Sequence, residues 1–494
     1  MIRPFNPFSL SLEQARELLG AEEVNFKELQ FTGIAYKDSD VQPGDIFLAF
    51  PGAKFHGAQF LDSAIANGAV AVLTDAAGAK SSAELPTLVV KNVREAGAQL
   101  ASHFYRDPIR EMQSIGITGT NGKTTVTTLL YQLLSGIGRE TGLIGTVETR
   151  IGSDAIKSER TTPEAADLQT LAATMRERHM RHLVMEVSSH SLELQRLVGS
   201  FFSIVGFTNL TQDHLDFHKD MESYFKAKSK LFTHEYAQSC FINIDDAYGR
   251  RLFEEVSIEK HSVSRDNTKA TWYFSEITPT VGGAEFTIRG RDGILIESRT
   301  PLHGGFNLDN LLLAVAIAYE CGVDPLEMAM LIPQLNGAPG RLEAISLQQN
   351  FKALVDYAHS PDAVTNVLKA VREFTSGRVI AVLGCGGDRD ASKRSLMGNA
   401  LSEGSDVAVF TSDNPRSENP VEILEQMVGS QILAQPSTVI VDRAEAITYA
   451  VGLAIEGDTV IVLGKGHETG QEISGVITPF DDRLQLARAI EAKR

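Results

Sequence analysis

The sequence predicts an α/β fold in three domains, and three observations carry that reading. At 494 residues the chain exceeds what a single hydrophobic core supports, while 43% apolar and 22% charged residues are ordinary for a globular protein. Short apolar runs alternate with helically spaced patterns over nearly the whole length. The alternation breaks and restarts at Asp107-Pro108 and in the loop NGAPGR, Asn336 to Arg341. The expected domains are residues 1–108, 109–340 and 341–494.

The first segment mixes the apolar runs DIFLAF, AVAVLTD and TLVV with the helical pattern LDSAIANGA, a small α/β unit. The second runs through SIGIT, a helix after Lys123, HLVMEV, SIVGFTNL and CFINID, which argues a largely parallel, doubly wound sheet. A more polar, antiparallel piece follows (TWYFSEI, AEFTIRG, GILIES), then the helix NLDNLLLAVAIAYECG. In the third segment KALVDY, RVIAVLG, DVAVFT, STVIVD and TVIVLG read as strands, each followed by a helical pattern. No internal repeat stands out.

Charge and cysteine usage narrow the function. Forty-six basic against sixty-three acidic residues give −17, which opposes nonspecific attraction to nucleic acid or anionic membrane, so an anionic ligand must be captured locally. Cys240, Cys321 and Cys385 form no CxxC pair and suit a reducing compartment, as small buried hydrophobes. The start MIRPFNPFSLSLEQ lacks a signal-peptide pattern, and no apolar run reaches ~18 residues. A cytoplasmic protein without membrane insertion is expected.

GITGTNGKTTVTTLL, Gly116 to Leu130, has the strand, loop and helix context of a phosphate-binding loop. Glycines let backbone amides converge on phosphate oxygens, the helix N-terminus adds a favourable dipole, and Lys123 supplies a point charge. Gly119, Thr120, Asn121, Gly122, Lys123, Thr124 and Thr125 are the expected nucleotide contacts, with the Thr124 hydroxyl toward magnesium. The loop is a variant: Ile117 stands where the strict Walker pattern wants glycine, and the glycines fall at Gly116 and Gly119. Alone, it does not separate a kinase, a GTPase switch and a ligase. Glu186, at the end of the apolar strand in MEVSSH, lies where α/β proteins collect ligands and is a candidate magnesium ligand.

Further motifs follow in order: TTPE, MEVSSH, TNLTQDHLDFH, YFKAKSKLF, FNLDN, GRLE, VDYAHSPDA, DNPR and GKGHE. Together with GTNGKTT they resemble the Mur ligase family, from GDIFLAFPG near Gly44 to FDDR at Arg483. The resemblance implies a small N-terminal UDP-sugar-binding α/β domain, a central P-loop-type doubly wound ATPase domain and a C-terminal Rossmann-like domain that binds the amino acid. It also implies a reaction of peptidoglycan assembly: ATP phosphorylates the D-glutamate carboxylate of UDP-N-acetylmuramoyl-L-alanyl-D-glutamate, and an incoming amine displaces phosphate to give an amide. Two anions must meet for that, so cations have to crowd the site.

By the same resemblance His214 joins Glu186 and Thr124 as a metal ligand, with weaker claims for Asp216 and His218. Among Lys226, Lys228 and Lys230, alignment on Tyr224 and Phe232 makes Lys228 the lysine carried as a carbamate, an anion able to hold a second magnesium. Asn310, Arg341 and Asp356 match ATP contacts, with Arg341 near the hinge, and His359 lies in the same loop as Asp356. Thr161, Thr162, Ser188 and Arg196 match contacts to the muramoyl dipeptide. Leu194 replaces the family's glutamine, and Gln195 is offset by one. The uridine-side DSR triplet is replaced by Lys37, Asp38 and Ser39, while His56-Gly57-Ala58 after FPGAKF resembles the family's loop.

DNPR, residues Asp413, Asn414, Pro415 and Arg416, and GKGHE each follow an apolar strand and should face one cleft. Meso-diaminopimelate ends in a second zwitterionic group, whereas lysine ends in an ammonium alone. A guanidinium clamps a distal carboxylate but repels lysine's terminus. Arg416 therefore predicts diaminopimelate, with Arg389 as a further carboxylate contact and Asp413, Gly464 and Glu468 on the distal ammonium. The alternatives are lysine addition, a folylpolyglutamate-type ligase that would not need TTPE with DNPR, and a P-loop switch that condenses nothing. A monomer is expected.

Overall fold

The computed structural model describes residues 2–6, 8–25, 27–52, 55–82, 85–280 and 283–493. Mixed α/β structure runs throughout, as the alternation predicts, around three main sheets. The first has five strands, ordered 22–24, 87–89, 71–74, 45–49 and 33–35, parallel except at the 22–24 edge. Ala53 and Lys54, within FPGAKF, lie outside the described residues.

The central sheet has eleven strands. Its first strand in the chain, Gln113–Thr118, lies between His182–Glu186 and Phe202–Phe207, both parallel to it. Later strands thus fall on both sides of the first, the strand reversal at whose carboxyl end α/β sheets bind ligands. The antiparallel piece at 272–300 is continuous with this sheet. Helices Lys123–Gly136 and Gly305–Glu320 cover one face, where Ile115, Ile117, Leu129, Leu133, Leu311 and Ile317 are all fully buried. From Leu311 to Ala318 the second of these is apolar around its whole circumference and is buried accordingly.

In the C-terminal sheet the last long strand, Thr459–Leu463, inserts between Lys352–Asp356 and Val379–Leu383, with Val407–Phe410 next. All four are parallel, so the loops carrying Asp356, Arg389, DNPR and GKGHE leave the same edge. STVIVD contributes only the short edge strand Thr438–Val439. Among the described residues, no helix is long and apolar enough to cross a membrane.

Candidate active site

The phosphate loop follows from its glycines. Gly119 (φ +150°) and Gly122 (φ +89°) adopt backbone that L side chains avoid, and a Cβ would collide with Thr208 Oγ1 at the first and Asn310 Oδ1 at the second. The TNL segment braces the loop: Thr120 N donates to Asn209 O (2.8 Å), Asn121 N to Asn209 Oδ1 (3.0 Å) and Thr208 Oγ1 to Asn121 O (2.6 Å). Thr125 is buried in the first helical turn.

Two ammonium groups converge on one carbonyl inside this loop. Lys123 Nζ donates to Gly119 O and Thr120 O, both at 2.9 Å, and Lys228 Nζ donates to Gly119 O at 2.8 Å. Burial lowers the Lys123 amine, with Glu186 opposing and Arg341 adding to the effect. Lys228 falls well below its usual range, first through burial and then through the charge of Lys123. Its side chain is 1% exposed, against 70% for Lys226 and 47% for Lys230. Helix periodicity explains the difference: residues four apart share a face, so Lys226 and Lys230 point outward together and Lys228 inward. That signal was available in the sequence.

Glu186 is wholly buried. It accepts hydrogen bonds from Thr124 Oγ1 (3.0 Å), Thr146 N (2.7 Å) and Thr146 Oγ1 (3.0 Å). Thr146 also reaches Thr161 Oγ1 (3.1 Å), and Thr162 Oγ1 donates to Glu186 O (2.9 Å) while accepting from Ser188 N (3.0 Å). Thr161 is thus wired to Glu186 through a Thr146 that no sequence motif singles out, and Thr162 and Ser188 through the Glu186 backbone carbonyl.

His214 has left-handed backbone (φ +54°), and its ring lies 4.8 Å from that of His190. Burial pushes it down to about 4, against the pull of Asp213, so the imidazole is neutral at physiological pH. Asp213 lies 3.8 Å from Lys393 Nζ of the C-terminal domain. His218 packs inward instead, with Nε2 2.8 Å from Ser189 Oγ. Among the described residues, no cluster of three or more His, Cys, Asp or Glu side chains suited to a metal is assembled.

Arg196 Nη1 donates to Thr162 O (3.2 Å), and Nη2 pairs with Glu164 (2.9 Å), which also pairs with Arg94 of the N-terminal domain and with Arg160. Gln195 faces the N-terminal domain, bonded by Asn92 (2.8 Å). Ser39 is exposed on a turn beside the ion pair of Lys37 with Glu159. Both ring nitrogens of His56 are engaged within its own domain, by Ala58 N (3.0 Å) and Asp75 (3.1 Å).

In the loop after Gly340, the Arg341 guanidinium lies 4.8 Å over the Tyr357 ring. The Asp356 carboxylate accepts from Leu342 N and Ala358 N, both at 2.7 Å, which pins the segment after Arg341 to the third sheet. His359 Nδ1 sits 2.8 Å from Tyr357 O. Asn310 is buried and lines a cleft of about 240 Å³ with Asn209, Asp245, Asp246 and Asp309.

DNPR and GKGHE interlock. Lys465, fully buried and missed by the motif reading, donates to Asn414 Oδ1 (2.9 Å) and Glu468 Oε2 (3.0 Å), and Asn414 Nδ2 also reaches Glu468 (2.9 Å). Its signal was the one used for Glu186, an ionisable group just past an apolar strand. Asp413 is buried beside Gly464, and burial raises its carboxyl while Arg443 and Lys465 oppose the shift. Arg416, after Pro415, has φ +51°, donates to Gly387 O (2.6 Å) and lies 3.6 Å from Glu472. Arg389 is exposed on the neighbouring loop, and the space at Gly386 is bounded by both arginines.

Comparisons agree with this architecture. The Mur ligase family catalytic domain matches residues 30–105, the Mur ligase middle domain 117–318 and the Mur ligase glutamate ligase domain 340–466. The chain is 47% identical to the UDP-N-acetylmuramoyl-L-alanyl-D-glutamate--2,6-diaminopimelate ligase of Streptomyces coelicolor, over 94% of this chain and 93% of that protein. It is 46% identical to the same-named protein of Streptomyces avermitilis over 99% and 98%. A solved structure of that name superposes with TM-score 0.69 at 32% identity, covering 98% of this chain and 99% of its own. The UDP-N-acetylmuramoylalanyl-D-glutamyl-2,6-diaminopimelate--D-alanyl-D-alanyl ligase from Acinetobacter baumannii, at 19% identity and TM-score 0.66 over 94% and 96%, shares the fold. Family models in sequence order and relatives nearly half identical over almost the full length lead to one conclusion: the chain belongs to the Mur ligase family.

Proposed function

We propose that this chain is an ATP-dependent ligase that joins meso-diaminopimelate to the D-glutamate of UDP-N-acetylmuramoyl-L-alanyl-D-glutamate, in the cytoplasmic assembly of peptidoglycan. The observation that carries the selectivity is that Arg416, with Arg389 of the neighbouring loop beside it at Gly386, shares the DNPR loop with the buried Asp413 carboxylate, which supports a receptor for a distal group bearing both charges. Lysine would leave both guanidinium groups facing its ammonium. The N-terminal domain, 1–108, holds the UDP-sugar, with Ser39 and His56 on its side. The central domain, 109–340, holds ATP through Gly119 to Thr125 and Asn310. The C-terminal domain, 341–494, holds the amino acid, and the enzyme acts as a monomer.

A carboxylate is a poor electrophile, so the γ-carboxylate of D-glutamate first takes the terminal phosphoryl group of ATP. The amine then attacks the acyl phosphate, giving amide and inorganic phosphate. Thr161, Thr162, Ser188 and Arg196 orient the dipeptide beside Glu186. Lys123 and Arg341 meet the charge on the transferring phosphoryl group, and Asp356 fixes the segment that carries Arg341.

The oxygen pair of Thr124 and Glu186 fits magnesium. Thr124 Oγ1 and Glu186 Oε2 are 3.0 Å apart, which matches neighbouring corners of an octahedron with Mg–O of about 2.0–2.1 Å. His214 is neutral, as a ligand must be. Glu186, Thr124, His214 and Lys228 as its carbamate would hold two ions, whose role is to neutralise the approaching anions. The lowered pKa of Lys228 supports the carbamate, because only an unprotonated amine adds carbon dioxide, releasing a proton and leaving an anion.

The deciding experiment is amino-acid competition with UDP-muramoyl dipeptide and ATP, reading ADP release and product mass. ADP release that needs both dipeptide and meso-diaminopimelate is expected. Preference for lysine, or turnover without either substrate, would overturn the reading.

A further inference from the structure

Beneath the DNPR and GKGHE loops lies a buried ion pair, Arg443 with Asp482, both 0% exposed. Arg443 opens the helix Arg443–Leu453 and Asp482 opens the final helix Asp482–Lys493. The carboxylate takes Nε (2.8 Å) and Nη2 (2.7 Å) of the guanidinium. The remaining reach goes to two backbone carbonyls, Ser412 O from Nη1 (3.1 Å) and Leu463 O from Nη2 (2.8 Å). Ser412 directly precedes Asp413, and Leu463 directly precedes Gly464. One guanidinium therefore ties together the roots of both loops.

The two loops touch closely above that tie. A Cβ at Gly464 would lie 2.7 Å from Asp413 Oδ2, and Lys465 binds Asn414 and Glu468 at 2.9 and 3.0 Å. Desolvating two charges is costly, and hydrophobic residues of similar volume often replace such a pair without loss of stability. What they cannot supply is the pair of carbonyl bonds. A planar fork with fixed donor directions sets the separation of the two strand ends, which an ammonium on a flexible stem would not.

We propose that Arg443, oriented by Asp482, is a positioning residue for amino-acid selection: it sets the spacing between the loop bearing Asp413 and Arg416 and the loop bearing Gly464 and Glu468. The ligand class is an amino acid whose far end carries both an ammonium and a carboxylate. The inference rests on the ligase reading above.

The test is the double variant Arg443→Met/Asp482→Leu, with melting temperature, Michaelis constants for meso-diaminopimelate and ATP, and kcat/KM for meso-diaminopimelate against L-lysine. We expect a folded protein whose KM for diaminopimelate rises between roughly 10- and 100-fold, with KM for ATP within about twofold, since displacements near 1 Å suffice for such losses. Preference over lysine falls with it. An unchanged KM for diaminopimelate, or equal rises in both constants, overturns the proposal. If the double variant does not fold, Asp482→Asn and Arg443→Lys decide it: a selective rise in KM for diaminopimelate in both supports it, and wild-type constants in either overturn it. Wild-type protein that does not prefer diaminopimelate would defeat the ligase reading instead, so the two failures are distinguishable.

Discussion

Lys228 is the residue whose chemistry is most altered by its surroundings. Its amine is buried against Gly119 O with Lys123 on the same carbonyl, and its pKa lies well below the ordinary 10.5. Lys228→Ala is expected to lose most activity and to regain part of it with added short-chain carboxylic acids, which can stand in for the carbamate; full activity in the variant would refute the role. Stability gives an independent readout. Between the depressed value and 10.5 the unfolded chain binds a proton that the folded chain does not, so this lysine destabilises at neutral pH and the effect fades as pH rises toward 10.5. Lys228→Met in carbon dioxide-free buffer should therefore melt above wild type at pH 7, with the gap closing at alkaline pH. A gap that does not depend on pH would mean an ordinary lysine. Arg416 is the second residue with a sharp expectation. Arg416→Ala should raise KM for diaminopimelate by about 30-fold or more, the loss of at least ~2 kcal/mol of charge-assisted binding, with little change for ATP. Equal effects on both would reduce Arg416 to shaping its loop.

At the scale of elements, the phosphate loop depends on backbone that only glycine supplies. Gly122 (φ +89°) caps the helix Lys123–Gly136, and a Cβ there would overlap Asn310 Oδ1. Gly122→Ala should cost about 1–2 kcal/mol from left-handed strain alone and raise KM for ATP steeply, because relief of the overlap moves Asn310 or the loop amides. Binding isotherms for ATP that match wild type would mean the loop tolerates the shift. This loop was legible in the sequence because its signal is local: an apolar strand, two glycines and a helical repeat. The parallel strands were legible for the same reason, since burial on both faces writes them as apolar runs. Elements with exposed faces were not. Glu259–Ser264 reads as EKHSVS, and the hairpin of Gly470–Ile473 with Val476–Pro479 shows no clean alternation, yet its Glu472 O accepts from Arg416 N (3.1 Å). STVIVD reads as a full strand but pairs only at Thr438 and Val439, at the sheet edge. Thr146 was invisible because its role comes from a fold-level contact with Glu186.

At the scale of the whole molecule, the reaction needs parts that no single domain owns. Lys123 and Lys228 on their helices and Glu186 at a strand end gather in the central domain, while Asp356 and Arg416 leave the edge of the C-terminal sheet. Arg341 stands between them: it follows Gly340, whose left-handed backbone packs against Gly466 and His467, and its guanidinium rests over Tyr357 while its charge depresses Lys123. The ion pair of Lys393 with Asp213 (3.8 Å) links the same two domains beside His214. A cation that reaches the phosphoryl group only when the domains are apposed couples closure to chemistry and keeps water from an acyl phosphate. Arg341→Ala should then lower kcat by roughly 10²–10³-fold, the scale of losing one preorganised charge-stabilising donor. KM for diaminopimelate should stay near wild type, because the pocket proposed for it lies wholly within the C-terminal loops. A second consequence separates closure from simple charge. With the domains free to part, the variant should hydrolyse a larger share of ATP without forming amide, read as the ratio of ADP to ligated product. A ratio that stays at the wild-type value while kcat falls would leave Arg341 a charge on the nucleotide and nothing more.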